Sequence, residues 1–265
     1  AKETLNIDAL DHSAYYELYK LTGNGLDEMQ AVMRGDNHNY IELALSYMTA
    51  YLTEDAIEIL KLAPNDNEPM VHYYLYALTN DKSELDKAEN SESLYCFPNR
   101  LEDIAVLEKA IYNGGNYAAY YLGCLFYDKG RWEESKELWE KCADNIKLPT
   151  VYRNLSLVYY NKLKDGVLAL KAMEKAFSID KSDARIFFEL DQLYKTLNFS
   201  LEKRLANMNE NSDLLEKRDD LYTEYITLLN MNGEYDNAYN RIMNHNFHPW
   251  EGGEGKIPAQ YRIAL

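Results

Sequence analysis

The stretch Tyr121-Leu122-Gly123-Cys124-Leu125-Phe126-Tyr127, continued by Gly130-Arg131-Trp132-Glu133-Glu134-Ser135 and Leu138-Trp139-Glu140-Lys141-Cys142, decides the fold. A large apolar residue precedes a small one, an aromatic follows, and a glycine turns the chain. A second run then presents small, bulky and small residues at helical spacing. That pattern is a helix hairpin in which a knob on one helix meets a hole on the other. It recurs at Leu43-Ala44 and Tyr47, closed by Ala56, Leu60 and Ala63, and at Leu155-Ser156 and Tyr159, closed by Ala169, Met173 and Ala176. It recurs again at Leu190 and Tyr194, and at Tyr225 and Leu229, turned at Gly233 and closed by Ala238 and Ile242.

With Leu43, Leu75, Leu122, Leu155, Leu190 and Tyr225 as equivalent anchors, the separations are 32, 47, 33, 35 and 35 residues. All but one lie near the ~34-residue period of a helical hairpin repeat. The long interval holds Asn80 to Asn99, polar and poor in aliphatics, which reads as a loop inserted between the two helices of one unit before Leu101 to Ala110 resume the second helix. Over roughly residues 36 to 245 the chain resembles the tetratricopeptide repeat (TPR) family. The fold this resemblance implies is all-α, a right-handed superhelical solenoid of antiparallel helix pairs. Two positions depart from the pattern, Tyr76 and Asp191 standing where a small residue belongs, and the helix after Phe199 lacks a clear small-bulky-small closure.

Composition agrees with long helices faced by aromatic rings. Six prolines and twelve glycines are few for 265 residues, tyrosine occurs 24 times, and 46% hydrophobic residues suffice to bury a core. The formal charge of −16 opposes any polyanionic partner, because a phosphate backbone rewards clustered Lys and Arg, so nucleic acid and anionic membrane are excluded as partners. No stretch approaches 18 apolar residues, so no membrane-spanning helix is expected. Cys96, Cys124 and Cys142 are odd in number and follow no metal spacing, which points to free thiols in a reducing compartment and favours the cytoplasm, with an upstream signal peptide left open.

Upstream, Leu10 to Tyr19 reads as an apolar-periodic helix, Gly23-Asn24-Gly25 as its break, and Leu26 to Arg34 as a further helix, while Ala1 to Asp8 reads as the tail of a preceding repeat. A chain that opens inside a unit, without a polar cap, reads as the C-terminal part of a longer protein. The phrase Asn246-Phe247-His248-Pro249-Trp250-Glu251-Gly252-Gly253-Glu254-Gly255-Lys256, with Leu10-Asp11-His12 and Tyr16-Glu17, resembles the C-terminal TPR region of large bacterial proteins of unassigned function that carry a β-sandwich domain of carbohydrate-enzyme type. This resemblance implies a link to sugar processing on a domain outside this sequence. The expected organisation is a solenoid over 1–245, with 80–99 as its inserted loop, and a Gly-rich capping loop and tail over 246–265.

In such a solenoid the first helices line an inner face, the expected binding surface. Projecting the repeat selects Tyr73, Tyr74, Tyr120, Tyr121, Tyr127, Arg153, Asn154, Tyr160, Asn161, Arg185, Phe188, Glu189 and Gln192. Tyrosine supplies rigid apolar area with a polar tip and arginine bidentate donors, a mixture suited to a peptide or a sugar. With 24 tyrosines in the chain, the competing reading is that many pack between helices.

The tail offers a second candidate set. His248, Trp250, Glu251 and Glu254 either cap the last hairpin through Phe247 and Trp250 or reach a neighbouring domain and its ligand. Gly253-Glu254-Gly255-Lys256 is no phosphate loop, since Trp250 stands where the first glycine belongs and Ile257 where Ser or Thr belongs. A metal site from His245, His248, Glu251 and Glu254 is disfavoured because Pro249 and the glycines break the helix that would align them. Asp219-Asp220 and Glu133-Glu134 read as solvated helix starts. No nucleophile elbow, Cys-x-x-Cys or dinucleotide fingerprint occurs, so the sequence offers no catalytic residue and no cofactor. The function expected is a docking scaffold for a protein, a peptide or a neighbouring domain of the same polypeptide. The alternative is the helical part of a carbohydrate-active enzyme.

Overall fold

A computed structural model of the chain describes residues 1–64, 67–91, 95–248, 253 and 255–265. Among these there is no strand. The first helices are α1 (Lys2–Ile7), α2 (His12–Thr22), α3 (Leu26–Met33), α4 (Asn37–Thr49), α5 (Thr53–Lys61) and α6 (Pro69–Thr79). Then come α7 (Lys82–Asn90), α8 (Leu101–Tyr112), α9 (Asn116–Asp128), α10 (Trp132–Ile146), α11 (Pro149–Asn161) and α12 (Gly166–Ile179). The last are α13 (Ala184–Thr196), α14 (Leu201–Glu210), a 3-10 helix (Ser212–Lys217), α15 (Asp219–Met231), α16 (Tyr235–Asn244) and α17 (Lys256–Ala264). The chain forms two compact units, Ala1–Cys142 and Ala143–Leu265, the boundary falling inside α10.

In the first unit the knob-and-hole reading of the deciding stretch is realised in atoms. Trp139, 2% exposed, lies on the backbone of Gly123, where an added Cβ would sit 2.4 Å from its Nε1. The indole Nε1 donates to the Tyr120 carbonyl (3.1 Å), and Ser135 Oγ donates to the carbonyl of Gly123 (2.8 Å). The small residue of α9 is thus the seat of the bulky residue of α10, and the two buried polar groups are satisfied on the facing backbone. In the second unit Ala169, Met173 and Ala176 of α12 are buried as the small-bulky-small pattern requires, and Gly166 is bare because Leu197 occupies the place of a side chain, 2.6 Å from an added Cβ. Prolines open α6 and α11 at the first helical position, where no intrahelical amide bond is lost.

Two segments differ from the sequence reading. Asn80 to Asn99 is not loop alone, since α7 occupies Lys82–Asn90. Its apolar content is only Leu85 and Ala88, both buried, too little for a periodicity to register. What holds it is capping and a distant contact. Asp81 accepts from the Ser83 amide (2.9 Å), and Glu89 accepts from the amides of Asn116, Tyr117 and Ala118 at the start of α9 (2.8, 2.9 and 3.0 Å). Likewise the residues after 245 are not a tail throughout. α17 follows Gly255, which holds φ at 79°, and is fixed by Asn230 Nδ2 donating to the carbonyl and Oε1 of Gln260 (3.0 and 2.9 Å) and by Tyr261 against Tyr239.

Both departures from the repeat pattern have partners. Asp191 is buried and takes two bonds from Arg204 of α14 (3.0 and 2.6 Å), so this pair fills the place of the missing small residue. Tyr76 is buried with the Lys109 ammonium 5.6 Å over its ring.

Candidate functional site

The expected binding residues divide by unit. In the first unit Tyr73, Tyr74 and Tyr121 are 0% exposed and Tyr120 is buried with them, so these four pack rather than face a ligand. For Tyr73 the inserted helix contributes, since α7 packs on α6 and α9 and Glu89 takes the Tyr73 hydroxyl (2.6 Å). Tyr73 and Tyr121 meet edge to face with centroids 6.1 Å apart, and Tyr74 donates to Asp103 of α8 (2.6 Å). Tyr127, half-buried, lies 5.8 Å from Trp139. The competing reading of the tyrosines as packing residues therefore holds for this unit.

In the second unit the projected residues stand on an open face. Tyr160 and Asn161 of α11 and Glu189 and Gln192 of α13, with Ser156, Leu157, Met173, Leu193 and Thr196, line a cavity of about 210 Å³. Phe188 and Gln192 also line a second cavity of about 500 Å³, continued by Lys195, by Asp220, Thr223, Glu224 and Thr227 of α15, and by Gly255, Lys256, Ala259 and Gln260 around α17. Gln192 borders both. Its Nε2 is buried and has no hydrogen-bond partner among the described residues, a costly state for an amide donor.

Ion pairs fix the walls of this groove. Arg153 of α11 makes a bidentate pair with Glu189 (Nε 2.5 Å, a terminal guanidinium nitrogen 2.6 Å), and Arg185 Nε approaches the same carboxylate at 3.2 Å. Lys195 and Arg204 both reach Glu224 (2.8 and 2.7 Å). Burial pushes the Glu224 carboxyl up, but its bonds to Lys195 and Arg204 outweigh it and hold the group below the ordinary glutamate value. Glu224 is thus ionised at neutral pH. Asn154 lies on α11 between Arg153 and Leu155 and is half-buried.

Projection from the sequence missed the α15 and α17 part of the groove, although the period points to it. Adding 35 to Arg185, Phe188, Glu189 and Gln192 gives Asp220, Thr223, Glu224 and Thr227, all four lining the larger cavity. A further 36 from the first three of these gives Lys256, Ala259 and Gln260 of α17, which line it as well. The C-terminal helix thus takes the next first-helix position of the series.

No family model matches the chain. Among solved structures it is similar to PilF of Pseudomonas aeruginosa, at 18% identity over 85% of this chain and 95% of that one, with a TM-score of 0.46. It is also similar to a thermophilic TPR protein of Thermus thermophilus, at 16% identity over 73% and 99% with a TM-score of 0.40. A third is YrrB, a TPR protein with an unusual peptide-binding site, at 14% identity over 75% and 96% with a TM-score of 0.40. Likeness at this level says nothing of what this chain binds.

Of the tail residues, Trp250, Glu251 and Glu254 lie outside the described residues. His248 is described and exposed, its amide donating to Asp219 Oδ2 at 2.5 Å and its Nδ1 3.2 Å from the same oxygen. His245 Nε2 meets Asp219 Oδ1 at 2.8 Å, and its ring stacks on Tyr222 with centroids 4.0 Å apart while Phe247 packs edge-on. Asp219, expected as a solvated helix start, is therefore the anchor of the segment after α16. Among the described residues no cluster of three metal-ligating side chains occurs, and no helix is long and apolar enough to cross a membrane. The three cysteines are free thiols, and burial pushes Cys124 and Cys142 up to about 12.

Proposed function

We propose that the second unit is a docking module that binds an extended polypeptide segment, from a partner protein or a neighbouring domain, along the face formed by α11, α13, α15 and α17. The observation that carries this reading is Gln192, half-buried on the border of both cavities, whose buried Nε2 has no hydrogen-bond partner among the described residues. Its terminal torsion is soft, and a small rotation turns Nε2 to a peptide carbonyl, relieving a donor otherwise desolvated at a cost of about 1 to 3 kcal/mol. The groove adds apolar floor from Leu157, Met173 and Leu193 and hydroxyls from Thr196, Thr223 and Thr227, the complement of a backbone with alternating side chains. Its ionic walls are paired internally, so they shape the groove while costing a ligand little desolvation.

The test is selection of short linear peptides from a displayed random library on the wild-type chain, followed by affinity measurement on Gln192→Leu, which keeps the volume and removes the donor. Selected peptides are expected to lose roughly tenfold or more in affinity on Gln192→Leu, about 1.4 kcal/mol or more. They should also lose binding on Thr227→Lys, which fills the larger cavity. Peptides that bind both variants as they bind wild type would refute the assignment.

A further inference from the structure

Between α8 and α10 the first unit carries another open groove, of about 460 Å³. Its floor is Leu122 and Phe126, one turn apart on α9 and both buried, and its walls are Ile111 of α8 and Leu138 of α10. The apolar wall residues each sit one turn from a carboxylate on the same helix face, Glu108 with Ile111 and Glu134 with Leu138, while Glu137 adjoins Leu138. All three carboxylates are exposed.

They are unequally compensated. Glu134 is held by Arg131 at 2.6 Å through Nε and by a second, shorter contact, and the same guanidinium lies 3.7 Å from the centre of the Phe126 ring, closing one end of the groove. Glu108 and Glu137 make no ion pair among the described residues, and they stand one on each wall. An apolar trough therefore lies between two exposed carboxylates that make no ion pair among the described residues, in a chain with 44 acidic and 28 basic residues. A second copy at −16 brings the wrong charge, and a neutral apolar segment would partly desolvate both carboxylates without adding an ion pair.

We propose that this groove docks a basic amphipathic segment of a partner protein. One aliphatic or aromatic side chain sits between Ile111 and Leu138 over Phe126, and a Lys or Arg on either side of it pairs with Glu108 and Glu137.

The experiment titrates the intact chain with a fluorescent amphipathic Lys/Leu peptide and with its Lys→Gln counterpart. Saturable binding is expected for the first and not the second. The double variant Glu108→Gln with Glu137→Gln should weaken it roughly tenfold at low salt, because two exposed ion pairs are lost, and should flatten its salt dependence. Ile111→Asp should remove it, with circular dichroism confirming that the fold survives. A control pair elsewhere, Glu210→Gln with Asp213→Asn, should leave affinity unchanged. Equal loss in the control pair would show general attraction to an acidic chain and overturn the proposal. So would equal binding of the Lys→Gln peptide, or a concentration-dependent dimer abolished by Ile111→Asp with no peptide binding.

Discussion

Replacing Glu89 tests how the insertion is held and how Tyr73 is fixed beneath it. α9 begins at Gly115, which has no side chain to cap the helix and no room for one, since an added Cβ would lie 3.0 Å from Glu89 Oε1 and from the Ala110 carbonyl. The cap comes instead from α7, where the Glu89 carboxylate takes three amides of the first turn and the Tyr73 hydroxyl. A single capping bond contributes about 1 kcal/mol, and a bond to a charged acceptor about 1.5 to 3. Glu89→Gln keeps one acceptor oxygen but sets an NH2 group against N–H donors and loses the charge at the positive end of α9. A loss of about 2 kcal/mol is expected for it, and about 3 to 4 for Glu89→Ala, which leaves the amides and the Tyr73 hydroxyl unpaired.

The assay is thermal and urea unfolding followed in the far and near ultraviolet. For a unit of this size about 2 kcal/mol lowers Tm by roughly 6 °C. The near-ultraviolet tyrosine signal should fall first, because α7 covers Tyr73. A double-mutant cycle with Tyr73→Phe should show coupling of about 1 kcal/mol, since the hydroxyl and the carboxylate are direct partners. Glu89→Gln melting with wild type would refute the view that the insertion is fastened through this carboxylate.

Gly123→Ala should cost about 2 to 3 kcal/mol, because the new methyl meets the Trp139 ring on a backbone that has no slack; an unchanged urea midpoint and unchanged tryptophan emission would contradict the packing. For Asp219, burial pushes the carboxyl up, but the His245 bond and then the His248 bonds outweigh it and hold it below the ordinary aspartate value. Its contribution is therefore fully present above that ordinary value and is lost as pH falls through the lower folded value, so the stability gap between wild type and Asp219→Asn should be constant at neutral pH and close on strong acidification. A gap that widens on acidification would reverse the sign. The thiols, pushed upward by burial, should resist alkylation at pH about 8 in the folded chain and react together on unfolding; fast native labelling of Cys142 would show the core open.

The hairpins were legible because their determinants are local and periodic. Gly123 and Trp139 announce each other in sequence as small and bulky residues at fixed spacing, and Ala169, Met173 and Ala176 do the same. α7 was not legible, because its stability comes from Glu89 reaching α9 across 27 to 29 residues of sequence, a contact that leaves no periodic trace. The Tyr73 bond to that helix was hidden with it, while Tyr74 meets Asp103 of α8 and Tyr121 meets Tyr73, contacts between neighbouring elements that the period alone does not separate from an open face. In the second unit, which carries no such insertion, the same projection met an open groove at Tyr160, Asn161, Phe188 and Glu189. Arg204 escaped notice because an arginine after Phe199 reads as surface, and only the buried Asp191 at a small-residue position hinted that a cation must reach it.

The repeat keeps positions and changes chemistry, and the docking function proposed would draw its selectivity from that difference. Arg185, Asp220 and Lys256 occupy one projected position on successive first helices, so charge runs positive, negative, positive along the face. Phe188, Thr223 and Ala259 occupy another, so side-chain bulk falls in the same direction, and Glu189, Glu224 and Gln260 occupy a third, where the carboxylates end in an amide. Shape alone would accept a segment in either direction, because each helix offers the next a similar trough. Bulk and the third position do not, since reversing the ligand sets its large residue against Ala259 rather than Phe188 and exchanges the Glu189 end for the Gln260 end. On the docking function proposed, the direction and register of a segment would therefore be set by substitutions between repeats, while the fold is set by what the repeats share.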